Sequence, residues 1–489
     1  MEAFIMEQID FRRVLNPIAK GMNEILNKKK KAANKKGNIK EKKKIVKKIN
    51  GFLSSSDRHI GEMIKPKTGR SYFAVYNPET KNLTYRDKIE TDNTIYFPDW
   101  DDGLISLNII KMPGCVEKYH SRSMLIDDLR DYIDKYVDIQ DKIYKEIIIA
   151  YILLTWVYDR FSALPYLRII GEMGTGKSRL LDILAGVCYK ALKTASLASA
   201  APIFRVIDKF YCTLLIDEVE LSNNSERNCD IKEVLRFGKD KNGAILRVDN
   251  NTNKTVPYIV FGPKIFSSKY STGDDALESR VISIRMQYSE SKKIPLQLED
   301  EELKKDSELL RAKLLAYRLK NYYKIDTRAY MKYIDSSVYK RLNEMIAPLI
   351  CVRDGDESFI SGLIGMTREK HRNMMEDKSM SFEAEIIKAM YMVQIEEKGD
   401  PLVQDIADRI NDESHKKYSS RFIASILREN FKMSTMHTRD GNAVIYEKGK
   451  VLKLIENYNL TDLTKITSIS PIDKIWDGIN RNVKRLKRI

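Results

Sequence analysis

Residues 171–178 read Gly-Glu-Met-Gly-Thr-Gly-Lys-Ser, the full spacing G-x-x-x-x-G-K-S. The apolar run Tyr166-Leu167-Arg168-Ile169-Ile170 stands before it, and Leu180, Leu181, Ile183, Leu184, Val187 and Cys188 follow at helical spacing. A strand, a glycine loop and a helix in that order confine this part of the chain to an α/β layer fold with the loop at a strand's C-terminal end. A chance Gly-rich turn containing Lys-Ser would lack both flanks. Glycines let backbone N–H groups approach phosphate oxygens without an intervening Cβ, and the helix N-terminus adds partial positive charge. The nucleotide-binding set is therefore Gly171, Glu172, Met173, Gly174, Thr175, Gly176, Lys177, Ser178 and Arg179. In it Lys177 reaches the β- and γ-phosphates of ATP, and the Ser178 hydroxyl ligates Mg²⁺.

Forty residues after Lys177 comes Leu214-Leu215-Ile216-Asp217-Glu218, an apolar run ending in two carboxylates. Asp217 is the candidate for holding the metal, directly or through water, and Glu218 for orienting and activating the attacking water. Residues 243–261 form two strand-like runs around an Asn-rich turn, which predicts a hairpin with Arg247 on its rising arm and Lys254 at its tip. Lys264-Ile265-Phe266-Ser267-Ser268 reads as the next core strand. In Asp275-Ala276-Leu277-Glu278-Ser279-Arg280 a short helix ends in an arginine just before another strand. An arginine there suits a finger that stabilises the γ-phosphate of a neighbouring subunit, unless a local carboxylate holds it.

The net charge of +16 is concentrated near the ends. Residues 28–48 contain twelve lysines against one glutamate, and residues 476–489 contain five basic residues against Asp477. The body is close to neutral. Lysine-rich ends of this kind suit the phosphate backbone of nucleic acid, and equally a solvated linker. The longest apolar stretch, Ile147 to Tyr158, is shorter than the roughly 20 residues a bilayer span needs. No secretory leader is legible and the five cysteines form no C-x-x-C pair, so a reducing, cytoplasmic setting with no membrane contact is expected.

Residues 1–27 show helical apolar spacing around Pro17, a helix that either docks a partner or packs on its own protein, followed by the lysine run as a linker to residue 50. Residues 51–120 read as a small β-rich module, with a hairpin over 71–85 and strand-like pieces at Thr94–Phe97 and Leu104–Ile110. Its lysines, arginines and tyrosines interleave, which fits a nucleic-acid surface or an ordinary sheet. Residues 121–290 carry the ATPase motifs and 291–380 are helical. In 381–460, helices at 382–397, 401–410 and 419–428 precede two strand-like runs joined by Thr438-Arg439-Asp440-Gly441-Asn442. That order predicts a winged helix, a module that binds either DNA or another protein; in a DNA-binding version Ser420, Arg421 and Arg439 are the contacts. A basic tail, 461–489, closes the chain.

The series Gly171–Ser178, Leu214–Glu218, inserted hairpin and Ala276-Leu277-Glu278-Ser279-Arg280 resembles the AAA+ module, and its hairpin and Leu-x-Ser-Arg string resemble the MCM-like clade. The strings Pro165-Tyr166-Leu167-Arg168, Asp217-Glu218-Val219-Glu220 and Phe261-Gly262-Pro263-Lys264 are similar to those of MCM-like replicative helicases of bacterial mobile elements, the staphylococcal cassette and pathogenicity-island type. The resemblance covers about 121 to 457. It implies an AAA+ P-loop NTPase core, a five-stranded parallel sheet with a helical lid. With the N-terminal β-rich module and C-terminal winged helix read above, the expected fold class is α/β, and residues 1–27 are a candidate dock for replication partners. It also implies a ring, commonly hexameric, whose hairpins line a channel for single-stranded or forked DNA, with 3′-to-5′ movement. Two positions depart from the family pattern. Ser267 and Ser268 stand where MCM proteins usually carry a sensor asparagine; the hydroxyl of either can contact the γ-phosphate or water, and Ser268 joins the candidate nucleotide-binding set. Arg341 is the candidate lid sensor because it opens an apolar helix. The expected activity is that of an ATP-hydrolysing DNA helicase. An origin-remodelling initiator or helicase loader shares every one of these residues, and only strand displacement separates the two.

Overall fold

The computed structural model describes residues 44–464, apart from 54–58, 92, 196–199, 220–225, 250–252, 271–273, 290, 292 and 415. The expected helix over 1–27, most of the lysine run and most of the basic tail lie outside the described residues. The chain divides into two compact units, Met1–Gly365 and Met366–Ile489.

The first unit opens with seven strands: β1 (Ile45–Ile49), β2 (Gly51–Leu53), β3 (Ile60–Ile64), β4 (Tyr72–Tyr76), β5 (Leu83–Arg86), β6 (Ile89–Glu90) and β7 (Thr94–Pro98). They form two small sheets, ordered β1–β7–β6 and β2–β3–β4–β5. The expected hairpin is β4–β5, with Phe73 opposite Arg86. Two expectations shift here. The end of the lysine run is a strand, since β1 pairs in parallel with β7 and Lys44 bonds Glu90 at 3.1 Å. Leu104–Ile110, read as a strand, begins instead as the short helix α1 (Gly103–Ser106). The Asp102 carboxylate caps it by accepting from the Leu104 N–H at 2.8 Å, and Asn108 then turns the chain at φ 55°. Local capping chemistry outweighed apolar spacing.

Helices α2 (Arg122–Tyr136) and α3 (Lys142–Thr155) lead into the layered core: β8 (Tyr166–Ile170), α4 (Lys177–Val187), β9 (Leu192–Ala195), α5 (Ala200–Phe210), β10 (Leu214–Asp217), α6 (Glu226–Phe237), the hairpin β11 (Ala244–Asp249) and β12 (Lys254–Ile259), β13 (Lys264–Ser268), α7 (Asp275–Glu278) and β14 (Val281–Arg285). Five of these strands form one parallel sheet in the order β14–β8–β13–β10–β9. Every residue of β8 and β13 is buried, as expected of parallel strands covered on both faces. A parallel five-stranded sheet with the glycine loop after one of its inner strands fits a P-loop NTPase-like core. Helices α8 (Asp300–Asn321), α9 (Lys340–Val352) and α10 (Glu357–Ser379) follow. No helix among the described residues is long and apolar enough to cross a membrane.

The β-rich module and the parallel sheet share one hydrophobic core, in which Met63, Phe73 and Ile105 pack in the same cluster as Ile203, Phe210 and Phe266. An ionic junction lies in the same region. Glu62 of β3 accepts from Arg318 Nε and the Tyr189 hydroxyl, each at 2.7 Å, and its other oxygen lies 3.1 Å from Lys190 Nζ. Lys190 also donates to Asn50 Oδ1 at 2.7 Å, and Arg318 bonds both Asp159 oxygens at 2.9 and 2.8 Å. Glu62, Lys190 and Arg318 are buried, so each needs these partners.

In the second unit, α11 (Phe382–Glu397), α12 (Val403–Glu413) and α13 (Ser420–Glu429) precede the antiparallel pair β15 (Thr435–Thr438) and β16 (Gly441–Val444), and α14 (Lys448–Asn457) closes it. Ser381 and Ser419 cap α11 and α13 through their hydroxyls. Ile387, Ile406, Ile423, Leu427, Val444 and Val451 form its core.

Candidate active site

The glycine loop runs from the C-terminal end of β8 to the start of α4. Gly174 and Gly176 adopt φ of 86° and 87°, which side-chain-bearing residues rarely adopt. At Gly171 a Cβ would stand 2.7 Å from the Met286 carbonyl oxygen, so the loop start accepts only glycine. Lys177 Nζ donates to the carbonyls of Gly171 and Glu172, each at 2.8 Å, which holds the ammonium across the loop. The segment after β14 straps this loop. Met286 N–H donates to Ile170 O at 2.8 Å, the Tyr288 hydroxyl donates to Met173 O at 2.8 Å, and Arg179 donates to the carbonyls of Pro295 and Leu296 at 2.6 Å.

Strand register brings the carboxylates to the same edge. β10 and β13 run parallel, with Ile216 opposite Phe266, and β13 and β8 pair Ser268 with Ile170. The loop, Asp217, Glu218 and the two serines thus all lie at the C-terminal edge of the sheet, where ligands of such sheets bind. The serines differ in their hydrogen-bond partners. Ser267 Oγ donates to Asp217 Oδ1 at 2.6 Å and accepts from the Glu218 N–H at 2.8 Å. Ser268 Oγ donates to the Tyr270 carbonyl at 2.9 Å. Glu218 sits at φ 57°, a costly conformation for a residue with a side chain, and its carboxylate is exposed.

Arg280 lies at the other end of the strands. Its carbonyl accepts from the Tyr166 N–H at 3.1 Å, and Val281 stands opposite Tyr166. Four residues of β8 separate that level from Ile170, about 13 Å at ordinary strand rise. Arg280 therefore does not face its own phosphate loop. The nearest carboxylate in sequence, Glu278, is held by Arg168 through two bonds of 2.5 and 2.9 Å, supported by Ser283. Arg280 has no salt-bridge partner among the described residues. Arg341, at the start of α9, donates to Ser279 Oγ at 3.2 Å, which places it beside Arg280.

Asp249 pairs with Lys254 at the hairpin end of β11–β12, and Lys254 is exposed. Arg247 is engaged otherwise: its guanidinium bonds Glu233 at 2.9 Å and lies 5.5 Å from the Phe204 ring centroid. The hairpin's base is fixed by Lys264, the buried first residue of β13. Its ammonium donates to the carbonyls of Gly238, Val260 and Gly262 at 3.2, 2.8 and 3.1 Å. In the second unit, Ser420 opens α13, Arg421 is exposed on its first turn, and Arg439 is exposed at the β15–β16 turn.

These donors suit a magnesium nucleotide: a loop of backbone N–H groups, an ammonium, a hydroxyl at Ser178 and the carboxylate of Asp217. Sequence reasoning missed Lys269, whose Nζ lies 3.6 Å from Glu172 Oε2 and links the end of β13 to the loop. It also missed Arg168 as the partner of Glu278. A basic residue directly after a serine pair at a strand end was the available signal for the first. The second had none, because 110 residues separate the partners.

No family model matches the sequence, and no curated protein does. Among solved structures, JCV helicase is similar at 14% identity over 54% of this chain and 70% of that chain, with a TM-score of 0.27. The apo C-terminal region of NrS-1 is similar at 12% identity over 62% of this chain and 88% of that one, with a TM-score of 0.25. Likeness at these scores carries no argument. What bears on function is the chain's own strand order and site geometry.

Proposed function

We propose that this protein is an AAA+ type ATPase that hydrolyses Mg-ATP between subunits of a ring and uses the cycle to unwind DNA. The observation that carries the proposal is the split of the catalytic groups. Lys177, Asp217, Glu218 and Ser267 gather at one edge of the sheet, while Arg280 and Arg341 lie together about one strand length away. A complete site then needs a second copy of the chain to supply its arginines.

In that site the loop N–H groups and Lys177 bind the β- and γ-phosphates. Ser178 and Asp217 are the residues that would hold magnesium, which neutralises developing charge on the phosphoryl oxygens. Ser267 fixes the Asp217 carboxylate and the Glu218 backbone, so that the Glu218 side chain can take a proton from the attacking water. The neighbour's Arg280 stabilises the transferring phosphoryl group, and Arg341 adds a second positive charge beside it. The hairpin carrying Lys254 grips the DNA strand, and the second unit, as a winged helix, adds contacts through Ser420, Arg421 and Arg439. Arg247, paired with Glu233, serves better to brace the hairpin than to touch DNA.

Steady-state ATP turnover and displacement of a strand from a forked duplex test the reading. Wild-type protein displaces the strand, and Glu218→Gln binds ATP but neither turns it over nor unwinds. Turnover without displacement would assign the chain to initiators or loaders. Unchanged turnover in Glu218→Gln would end the enzymatic reading.

A further inference from the structure

A cavity of about 670 Å³ lies between the β-rich module and α8, and none of the phosphate-loop residues line it. Lys65 and Lys67 stand on one wall, with Lys304, Lys305 and Arg311 of α8 on the other. Glu308 is the one carboxylate of the lining, and Lys67 already holds it at 2.7 Å. Lys304 and Lys305 are exposed and make no salt bridge among the described residues. Arg311 is only 4% exposed, and its guanidinium donates to the Gly186 carbonyl through Nη1. Its Nε is buried with no hydrogen-bond partner among the described residues.

Burying an unpaired N–H of a charged group is unfavourable, and so is crowding like charges around it. The neighbourhood feels both effects. Burial lowers the pKa of Arg311 and of Lys111, and the charges of Arg311 and Lys304 lower Lys111 further. A ligand bearing several negative charges would relieve the repulsion and give Arg311 an acceptor. The volume falls in the range of small-ligand sites and matches a nucleotide-sized group.

We propose that this cavity is a second anion site, which binds the phosphate groups of a nucleic-acid strand or of a free nucleotide. Arg311 also joins it to α4, since Gly186 lies in the last turn of the helix that begins at Lys177. The assignment does not rest on ATP hydrolysis at the phosphate loop.

Cys115 lines the same cavity and is exposed, whereas Cys188, Cys212 and Cys351 are buried, so Cys115 serves as a local reporter. The test is the rate of maleimide labelling of Cys115, read by peptide mass mapping, in the full chain carrying Lys177→Ala to disable the phosphate loop. A short oligothymidylate and ATP are added separately at low salt. One of them should slow labelling about tenfold, and Lys304→Glu with Lys305→Glu should abolish that protection. Protection by the oligonucleotide identifies a strand as the source of the phosphates, and protection by ATP identifies a free nucleotide. No protection by either probe overturns the proposal, and so does protection that survives the charge reversal. The milder Lys304→Ala with Lys305→Ala should weaken protection in the same direction, which guards against a folding defect in the reversed variant.

Discussion

Arg168 grips Glu278 with Nη1 on Oε1 at 2.5 Å and Nη2 on Oε2 at 2.9 Å, and so occupies the carboxylate closest in sequence to Arg280. Two-point pairing of this kind is strong and directional. Arg280 makes no salt bridge among the described residues, and on the proposed shared-site reading it serves the neighbouring subunit. Arg280→Ala should lower ATP turnover of the assembled protein by about 10³. Mixing Arg280→Ala with Glu218→Gln subunits should restore part of the activity, because some interfaces then combine an intact Glu218 with an intact Arg280. Phosphate release from the mixture checks this, and a mixture no better than either variant alone would sink the shared site.

The two serines at the end of β13 should separate in kinetics. Ser267 touches both Asp217 and Glu218, whereas Ser268 bonds the Tyr270 carbonyl. A hydrogen bond to a charged group is worth about 1.5–3 kcal/mol. Ser267→Ala should therefore lower kcat by roughly 10- to 100-fold with little change in KM, and Ser268→Ala should leave kcat near wild type. Equal losses in both variants would remove the distinction.

Lys254 stands exposed at the start of β12. Lys254→Ala should keep basal ATP turnover and lose forked-duplex unwinding. Side-by-side ATPase and strand-displacement assays check it, and unwinding at the wild-type rate would exclude the hairpin from the DNA path.

Lys264 gives a pH signature. Burial pushes its ammonium down to about 7, against an ordinary value of about 10.4 in an unfolded chain. Between those values the unfolded state holds a proton that the native state lacks. Stability should therefore rise with pH from about 7 upward, and the penalty should level off below 7, where both states are protonated. Lys264→Met removes this titration, so its melting temperature should climb less steeply than wild type between about pH 7 and 9. Parallel curves for the two proteins would contradict the burial argument.

What was legible in the sequence was local. The run Tyr166–Ile170, the loop and the helix behind it announce themselves, because a strand buried on both faces reads as apolar and the loop needs its glycines. Lys264–Ser268 was legible for the same reason. Leu104–Ile110 was not, because Asp102 caps a helical turn that apolar spacing cannot reveal. Pairings across long separations were invisible: Glu62 meets Arg318 across 256 positions, and nothing local to either residue signals it. The placement of Arg341 beside Ser279 was equally hidden, since it depends on where α9 returns to the core.

The junction of Glu62 with Lys190 and Arg318 bears on how the chain can be cut. A version beginning after residue 120 would take Glu62 and Asn50 from Lys190, a loss of about 3–5 kcal/mol for a broken buried pair, and would leave Arg318 with Asp159 but without Glu62. It would also strip one wall from a core that runs on into β10 and β13. The β-rich module is thus a keystone of the parallel-sheet core rather than a detachable head. A fragment that keeps the parallel sheet intact has to begin ahead of Ile45, because the module and the sheet are packed as one core.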